Sequence, residues 1–220
     1  MRRLMMVPAL AAAVLAFGCS QGGSEATAAQ SADSKPAPAA ETGEADFSGA
    51  PSGTYVTDYK HRYITFSYFH QGYSHPFLRW RDWTGELTWN AENPAASSID
   101  VVIDAESIDS GVDEFDGHLK GEGFFDVANH PEITFVSTSV ETTGATTGKV
   151  TGDLTIKGIT KPVTLDVTFN KADAIKDGNK IGFSAKGVVK RSDYGVDKHV
   201  PYVSDDVEVI IEAELVSSAS

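Results

Sequence analysis

Residues 207–215, VEVIIEAEL, alternate with period two: Val207, Val209, Ile211, Ala213 and Leu215 fall on one side, Glu208, Ile210, Glu212 and Glu214 on the other. Successive side chains of an extended chain point to opposite faces, so this stretch is a half-buried strand with one apolar face. SIDVVID at 98–104 repeats the pattern, with Ile99, Val101 and Ile103 opposite Asp100, Val102 and Asp104. VTLDVTF at 163–169 does so again, with Val163, Leu165, Val167 and Phe169 opposite Thr164, Asp166 and Thr168. Similar runs place further strands over 53–58, 62–70, 79–89, 132–140, 149–156 and 180–190.

Turn chemistry separates these runs: ETTGATTGK at 141–149, KGITKP at 157–162 and KDGN at 176–179. Successive hairpins with one apolar face make an antiparallel meander. The expected class is all-β, an up-and-down barrel of about eight strands, because closure removes the exposed edges of such a meander. Only VDEFDGHLKGEGFFD at 112–126 breaks the rhythm. Val112, Phe115 and Leu119 fall there at helical spacing, which predicts a short helical insertion.

The chain has 220 residues, 18 Lys and Arg against 31 Asp and Glu, and a net charge of −13. Such a surface repels phosphate backbones and anionic headgroups, which argues against nucleic acid and against electrostatic membrane binding. Any lipid contact is then apolar or covalent. The start, MRRLMMVPALAAAVLAFG, carries Arg2 and Arg3 before an apolar run from Leu4 to Phe17, too short for a spanning helix of about 20 residues. It is an export signal. The sole cysteine, Cys19, follows it in LAFGCS and resembles the lipobox of bacterial lipoproteins, although Ala16 and Phe17 depart from its usual residues. Lipidation at Cys19 is the expectation, and simple secretion with cleavage after Ala16 or Ala28 is the alternative. Residues 20–52 are rich in Ala, Ser, Gly, Glu and Pro with a single aromatic, too little apolar surface to offset ordering entropy, and are read as a disordered tether. The chain thus divides into a leader at 1–19, a tether at 20–52 and a barrel domain at 53–220, expected in the periplasm and tethered to a bacterial membrane by lipidated Cys19, or soluble there.

Candidate chemistry is sparse. His61, His70, His75, His118, His130 and His199 form no pair at metal-ligand spacing. DSGVDEFDG at 109–117 resembles a calcium loop only superficially, since its third position is Gly111, and its acids suit a helix N-terminus instead. There is no nucleophile elbow and no phosphate loop, so neither a metal, a cofactor nor a catalytic residue is expected. GFFDVANHPEITF at 123–135 sets Asp126, His130 and Glu132 close together. Asn129-His130-Pro131 reads better as a turn, with Phe124, Phe125, Ile133 and Phe135 as apolar anchors around it.

Aromatics are more informative. Tyr55, Tyr59, Tyr63, Phe66, Tyr68, Phe69, Tyr73, Phe77, Trp80, Trp83 and Trp89 crowd into one short segment. They either fill a small barrel or line a pocket inside it, and periodicity does not separate the two. Parity puts Ile64, Phe66, Tyr68 and His70 on one face of a strand. It likewise groups Ile181, Phe183, Ala185, Gly187, Val189 and Arg191. His70 and Arg191 end those faces, where a barrel opens. They either hold a polar headgroup above an apolar tail, or Arg191 pairs with Asp193 or a neighbouring carboxylate to pin a turn.

GTYVTDYKHRYITFSYFHQGYS at 53–74, DWTGELTW at 82–89, HLKGEGFFDVANHPEITFVST at 118–138, VTGDLTIKGITKPVTLDVTF at 150–169 and GFSAKGVVKRSDYGV at 182–196 together resemble the YceI-like family of bacterial exported proteins. The resemblance implies a lipocalin-like barrel that binds, without catalysis, an isoprenoid or other long-chain lipid in its lumen. It implies ligand contacts at Ile64, Phe66, Tyr68, His70, Phe183 and Arg191, and a homodimer. A hydrolase of an isoprenoid or acyl ester using Asp126 and Glu132 is the rival reading, and a structural stress-response lipoprotein whose lumen its own aromatics fill is a third. Leu78-Arg79-Trp80, preceded by Pro76-Phe77, is bulkier than the family's usual step and implies a narrowed entrance.

Overall fold

In the computed structural model, which describes Phe47 and residues 49–218, the alternating runs become ten strands, with one short helix in a connection between them. The strands are β1 (Gly53–His70), β2 (Phe77–Trp80), β3 (Trp83–Trp89), β4 (Ser98–Asp104) and β5 (Ile108–Asp109), then β6 (Glu132–Thr142), β7 (Thr147–Ile156), β8 (Ile159–Ile175), β9 (Gly178–Lys190) and β10 (Val203–Ser218). Helix α1 (Asp113–Lys120) lies between β5 and β6.

Every pairing is antiparallel, and β10 returns to β1, with Ile64 opposite Ile211 and Phe66 opposite Val209. Closure makes an eight-stranded barrel in the order β1-β3-β4-β6-β7-β8-β9-β10. Strand β2 takes over from β3 along the second half of β1, and β5 extends the β4 side next to β2. The two runs expected at 53–58 and 62–70 are one strand carrying a bulge. Pairing with β10 shifts register between Thr57 and Arg62, so Asp58–His61 arches outward without breaking the chain's course. Conversely the run expected at 79–89 splits at Arg81-Asp82.

The β7–β8 loop shrinks to Lys157-Gly158, with φ of 51° and 71°. Positive φ at both central positions matches the twist of a two-residue hairpin, and Gly158 reaches it without steric cost. Helix α1 buries Leu119 and packs Phe115 on the core, while Asp113, Glu114 and Asp116 occupy its first turn near the positive end of its dipole.

Hairpin connectivity assigns every loop to one of two ends. The β1–β2, β7–β8 and β9–β10 connections lie at one end with α1. The opposite end carries the β3–β4 segment with its 3₁₀ turn Pro94–Ala96, and the β6–β7 and β8–β9 hairpins. The first end is sealed: Ile108, Leu119, Tyr194 and Val196 are buried there with Phe125 packed against them. At the other end a second cluster gathers Ala50, Tyr55, Leu87, Trp89, Ile181 and Leu215.

The chain before β1 belongs to the barrel as well. Ala50 is fully buried, Trp89 Nε1 donates to its carbonyl at 3.0 Å, and Tyr55 Oη donates to the Pro51 carbonyl at 2.8 Å. The packed domain therefore begins before the expected boundary at Gly53, and Cys19 and the leader lie outside the described residues.

Candidate ligand-binding site

The two halves of the barrel wall are packed differently. On β3, β4 and β6 the inward side chains Trp83, Leu87, Ile103, Ile133 and Phe135 are buried. On β8 and β10 the inward side chains Val163, Leu165, Val167, Val209 and Ile211 are only half-buried, although their outward neighbours Thr164, Asp166 and Glu208 are the exposed set. These inward residues line an internal cavity of about 290 Å3. Ile64 and Phe66 of β1, Leu87 of β3 and Val101 of β4 line the same cavity from the other wall, so the lumen is hollow between the two walls, with most of its half-buried lining on β7–β10.

Along β7 the cavity runs from Gly148 to Ile156, about 26 Å of strand at about 3.3 Å per residue and about 20 Å along a tilted barrel axis. That suits an extended chain. Its walls are aliphatic and aromatic, and only Arg191 and Glu141 among its lining residues are charged. It reaches the exposed β6–β7 hairpin, residues 142–147, beside Ser97, Ser98 and Ile99. The opening is therefore at the end opposite α1.

Of the residues expected to contact a ligand, Ile64, Phe66, Phe183 and Arg191 line this cavity. Tyr68 packs beside the core cluster and His70 stands next to it, ring centroids 6.4 Å apart, but neither lines the cavity. The rim expected at His70 and Arg191 is the sealed end. Strand parity places a residue on a face but leaves open which end of a barrel is plugged. The same correction applies to the bulky step at 76–80. Leu78 and Trp80 are buried and Phe77 points outward at the sealed end, so they do not narrow the entrance.

Arg191 holds the β9–β10 connection in place. Its Nε donates to the Ser204 carbonyl at 2.8 Å, Nη1 to those of Val196 at 2.6 Å and Lys198 at 2.9 Å, and Nη2 to Val203 at 2.9 Å. Burial pushes its pKa down, and the charges of Asp205 and Asp197 partly offset this. Among the described residues no carboxylate, Asp193 included, forms an ion pair with it. The guanidinium pins a loop, as one of the two readings held, but through carbonyls. Next to it, burial raises the Tyr194 phenol to about 12. Among the described residues, the Tyr194 hydroxyl and the indole N–H groups of Trp80 and Trp83 have no partner.

The aromatic-rich segment divides between both of its expected roles and a third. Phe66, Trp80, Trp83 and Trp89 line the lumen. Tyr59, Tyr63, Phe69, Tyr73 and Phe77 stand on the outer surface. Parity along β1 separates Phe66 from Phe69 in advance, but the β1–β2 loop has no period to read.

The acidic candidates lie away from the lumen. Asp126 sits at φ 49°, accepts both Asn129 Nδ2 bonds and lies 4.0 Å from His130 Nε2, while Glu132 is exposed at the start of β6. None of the three lines the cavity. Asp58, His61 and Glu214 bring ligand-type atoms within 4.8 Å of one another at the β1 bulge. Lys180 already bridges the two carboxylates there, 2.6 Å from Glu214 and 3.5 Å from Asp58. Bonds from His61 and the Lys60 amide hold Asp58 at about 2, so the group is an ion-pair network that pins the bulge.

Trp89 and Phe169 were legible as strand residues but not as partners, and Phe47 was missed. Its ring meets Trp89 at 5.3 Å and Phe169 at 4.9 Å, edge-on to both. Its signal was being the lone aromatic in the polar stretch 20–52.

Residues 55–215 match the YceI-like domain. Protein YceI of Salmonella arizonae is 36% identical over 155 residues, covering 70% of this chain and 81% of that protein. Among solved structures, BcnA of Burkholderia cenocepacia aligns with a TM-score of 0.66 at 25% identity, over 72% of this chain and 98% of its own. The Campylobacter jejuni YceI protein aligns at 0.63 with 29% identity, over 69% and 90%. A polyisoprenoid binding domain from Saccharophagus degradans shares the fold at 0.56 with 15% identity, over 76% and 99%. With most of the barrel inside the domain match and a relative this similar across most of its length, the chain belongs to the YceI-like family.

Proposed function

We propose that the protein binds a long-chain apolar lipid, an isoprenoid, isoprenoid quinone or fatty-acid derivative, in the barrel lumen and sequesters or carries it in the bacterial cell envelope. The observation that carries this reading is the hollow apolar lumen: half-buried inward residues such as Val163, Leu165, Val209 and Ile211 border a cavity that Ile64, Phe66 and Val101 line from the other side. Each methylene buried there contributes about 0.8 kcal/mol without any charge, which suits walls this apolar. The fold shared with a polyisoprenoid binding domain supports the same ligand class. Asp126 and Glu132, the acids of the hydrolase reading, do not line the cavity, which supports binding without catalysis, and a membrane tether at Cys19 and a homodimer complete the proposal.

Solvent extraction of native protein purified without detergent, followed by mass spectrometry, tests the central claim. Stoichiometric recovery of one lipid class is the expected result. Protein that yields none, and takes up none when offered, removes the carrier reading.

A further inference from the structure

The opening of the lumen is bordered by a segment that precedes the barrel. Strands β3 and β8 are four places apart in the closed ring of eight, so they stand on opposite walls. Phe47 nevertheless touches an aromatic side chain from each, Trp89 of β3 and Phe169 of β8, and it lines the cavity. Phe183 adds a further ring to this group, 5.9 Å from both Trp89 and Phe169. Together they fill the half of the mouth towards β9, β10 and β1. What stays open lies between the start of β4 and the β6–β7 hairpin.

The strap that carries Phe47 is held from both sides. Trp89 donates to the Ala50 carbonyl, and the Ala91 amide donates to Ser52 Oγ at 2.9 Å. Gly49 lies so close to β8 that a Cβ there would overlap the Ala172 carbonyl. These contacts are few, and Phe47 enters from one edge, whereas Trp89 and Phe169 are fixed in the sheet. Of the rings at the mouth, Phe47 can therefore leave without disturbing a strand pairing.

We propose that Phe47 controls the width of the mouth as a gate: its ring swings off Trp89 and Phe169 to widen the part that stays open and let a chain-like apolar ligand pass, so the segment before β1 sets the exchange rate. This rests on the lumen binding such a ligand. A gate slows entry and exit together, whereas a residue that is only wall contact changes exit alone.

Stopped-flow fluorescence of the full chain with all-trans-retinol, an isoprenoid alcohol, measures both rates, release being read by transfer to excess phosphatidylcholine vesicles. Phe47→Ala should raise uptake and release by about tenfold each and change Kd by about twofold or less, a barrier change with little change in well depth. Gly49→Ala, which forces the strap off β8 while keeping the ring, should accelerate both rates as well, and Phe47→Tyr should retain slow exchange. Melting curves check that the barrel survives each change. The gate is overturned if Phe47→Ala leaves both rates at their wild-type values, or if it speeds release alone. If the wild-type protein takes up no retinol and yields no lipid on extraction, the lumen-binding reading fails and the gate with it; binding with unaltered rates sinks only the gate.

Discussion

Trp89 lies flat against Phe169, ring centroids 6.4 Å apart and planes 7° from parallel, although the two residues sit on opposite walls of the barrel. The pair pinches the lumen at the mouth and leaves it hollow below. Trp89→Ala and Phe169→Ala should each cost about 3–5 kcal/mol in urea unfolding, as large aromatic truncations in a packed cluster do. A double-mutant cycle should recover about 0.5–1.5 kcal/mol of coupling between the rings.

The hollow wall predicts an unusual tolerance. Ala185 lines the cavity on β9, opposite Val167 on one side and Ile211 on the other. Ala185→Phe should cost less than about 1 kcal/mol, because its ring enters open lumen, whereas the same enlargement in a filled core costs about 1–3 kcal/mol. The lipid recovered by extraction should fall in the same variant. Urea unfolding and mass spectrometry together check the pair of outcomes.

Arg191 should prove a loop clamp. Arg191→Gln deprives the carbonyls of Val196, Lys198, Val203 and Ser204 of a shared donor, and bonds to a charged group contribute about 1.5–3 kcal/mol each. Stability should drop by about 2–4 kcal/mol once water replaces part of that set, and limited proteolysis should begin within 196–203. Lipid content per folded molecule should stay at the wild-type level. A headgroup role would produce the opposite pattern.

Acid should loosen the sealed end. Hydrogen bonds from Arg81 and Arg79, and then the Gly111 amide, hold the Asp109 carboxyl at about 2 instead of the usual 3.8. Because the folded state binds this proton less readily than the unfolded chain, the contribution is complete above the usual value and is lost as pH falls from there towards 2. Asp109→Asn should melt lower than wild type near neutrality, with the gap closing across that window. Thermal melts across the same range supply the check.

For the anchor, fractionation of cells carrying Cys19→Ser reports directly. The variant should leave the membrane fraction for the soluble periplasmic one, since the −13 charge offers no electrostatic substitute for an acyl chain. Unchanged membrane association would refute lipidation as the attachment.

Much of the barrel was legible because a strand's side-chain period is a local property. Val207 to Leu215 and Val163 to Phe169 each display their inward face without reference to any other segment. KGITKP at 157–162 announced a turn in the same way, although the hairpin spends only Lys157-Gly158 on it and β8 begins at Ile159, and 112–119 announced a helix by spacing alone. Where local pattern weakened, boundaries moved: DYKH at 58–61 looked like an end of β1 but is a bulge held by Lys180 and Glu214, which lie far along the chain. Phe47 was hidden by the polar composition around it, since one aromatic has no period.

From sequence alone came an eight-stranded meander, its inward faces, its turns, its short helix and an acidic surface. Only the tertiary structure decided that the inward faces of both walls border a cavity, that the end beside α1 is sealed, and that Arg191 spends its donors on carbonyls. Alternation determines the direction of a side chain, a matter of one residue's backbone. Whether the space it points into is filled depends on what crosses from the opposite wall, and Trp89, Phe169 and Phe47 meet there only once the barrel has closed.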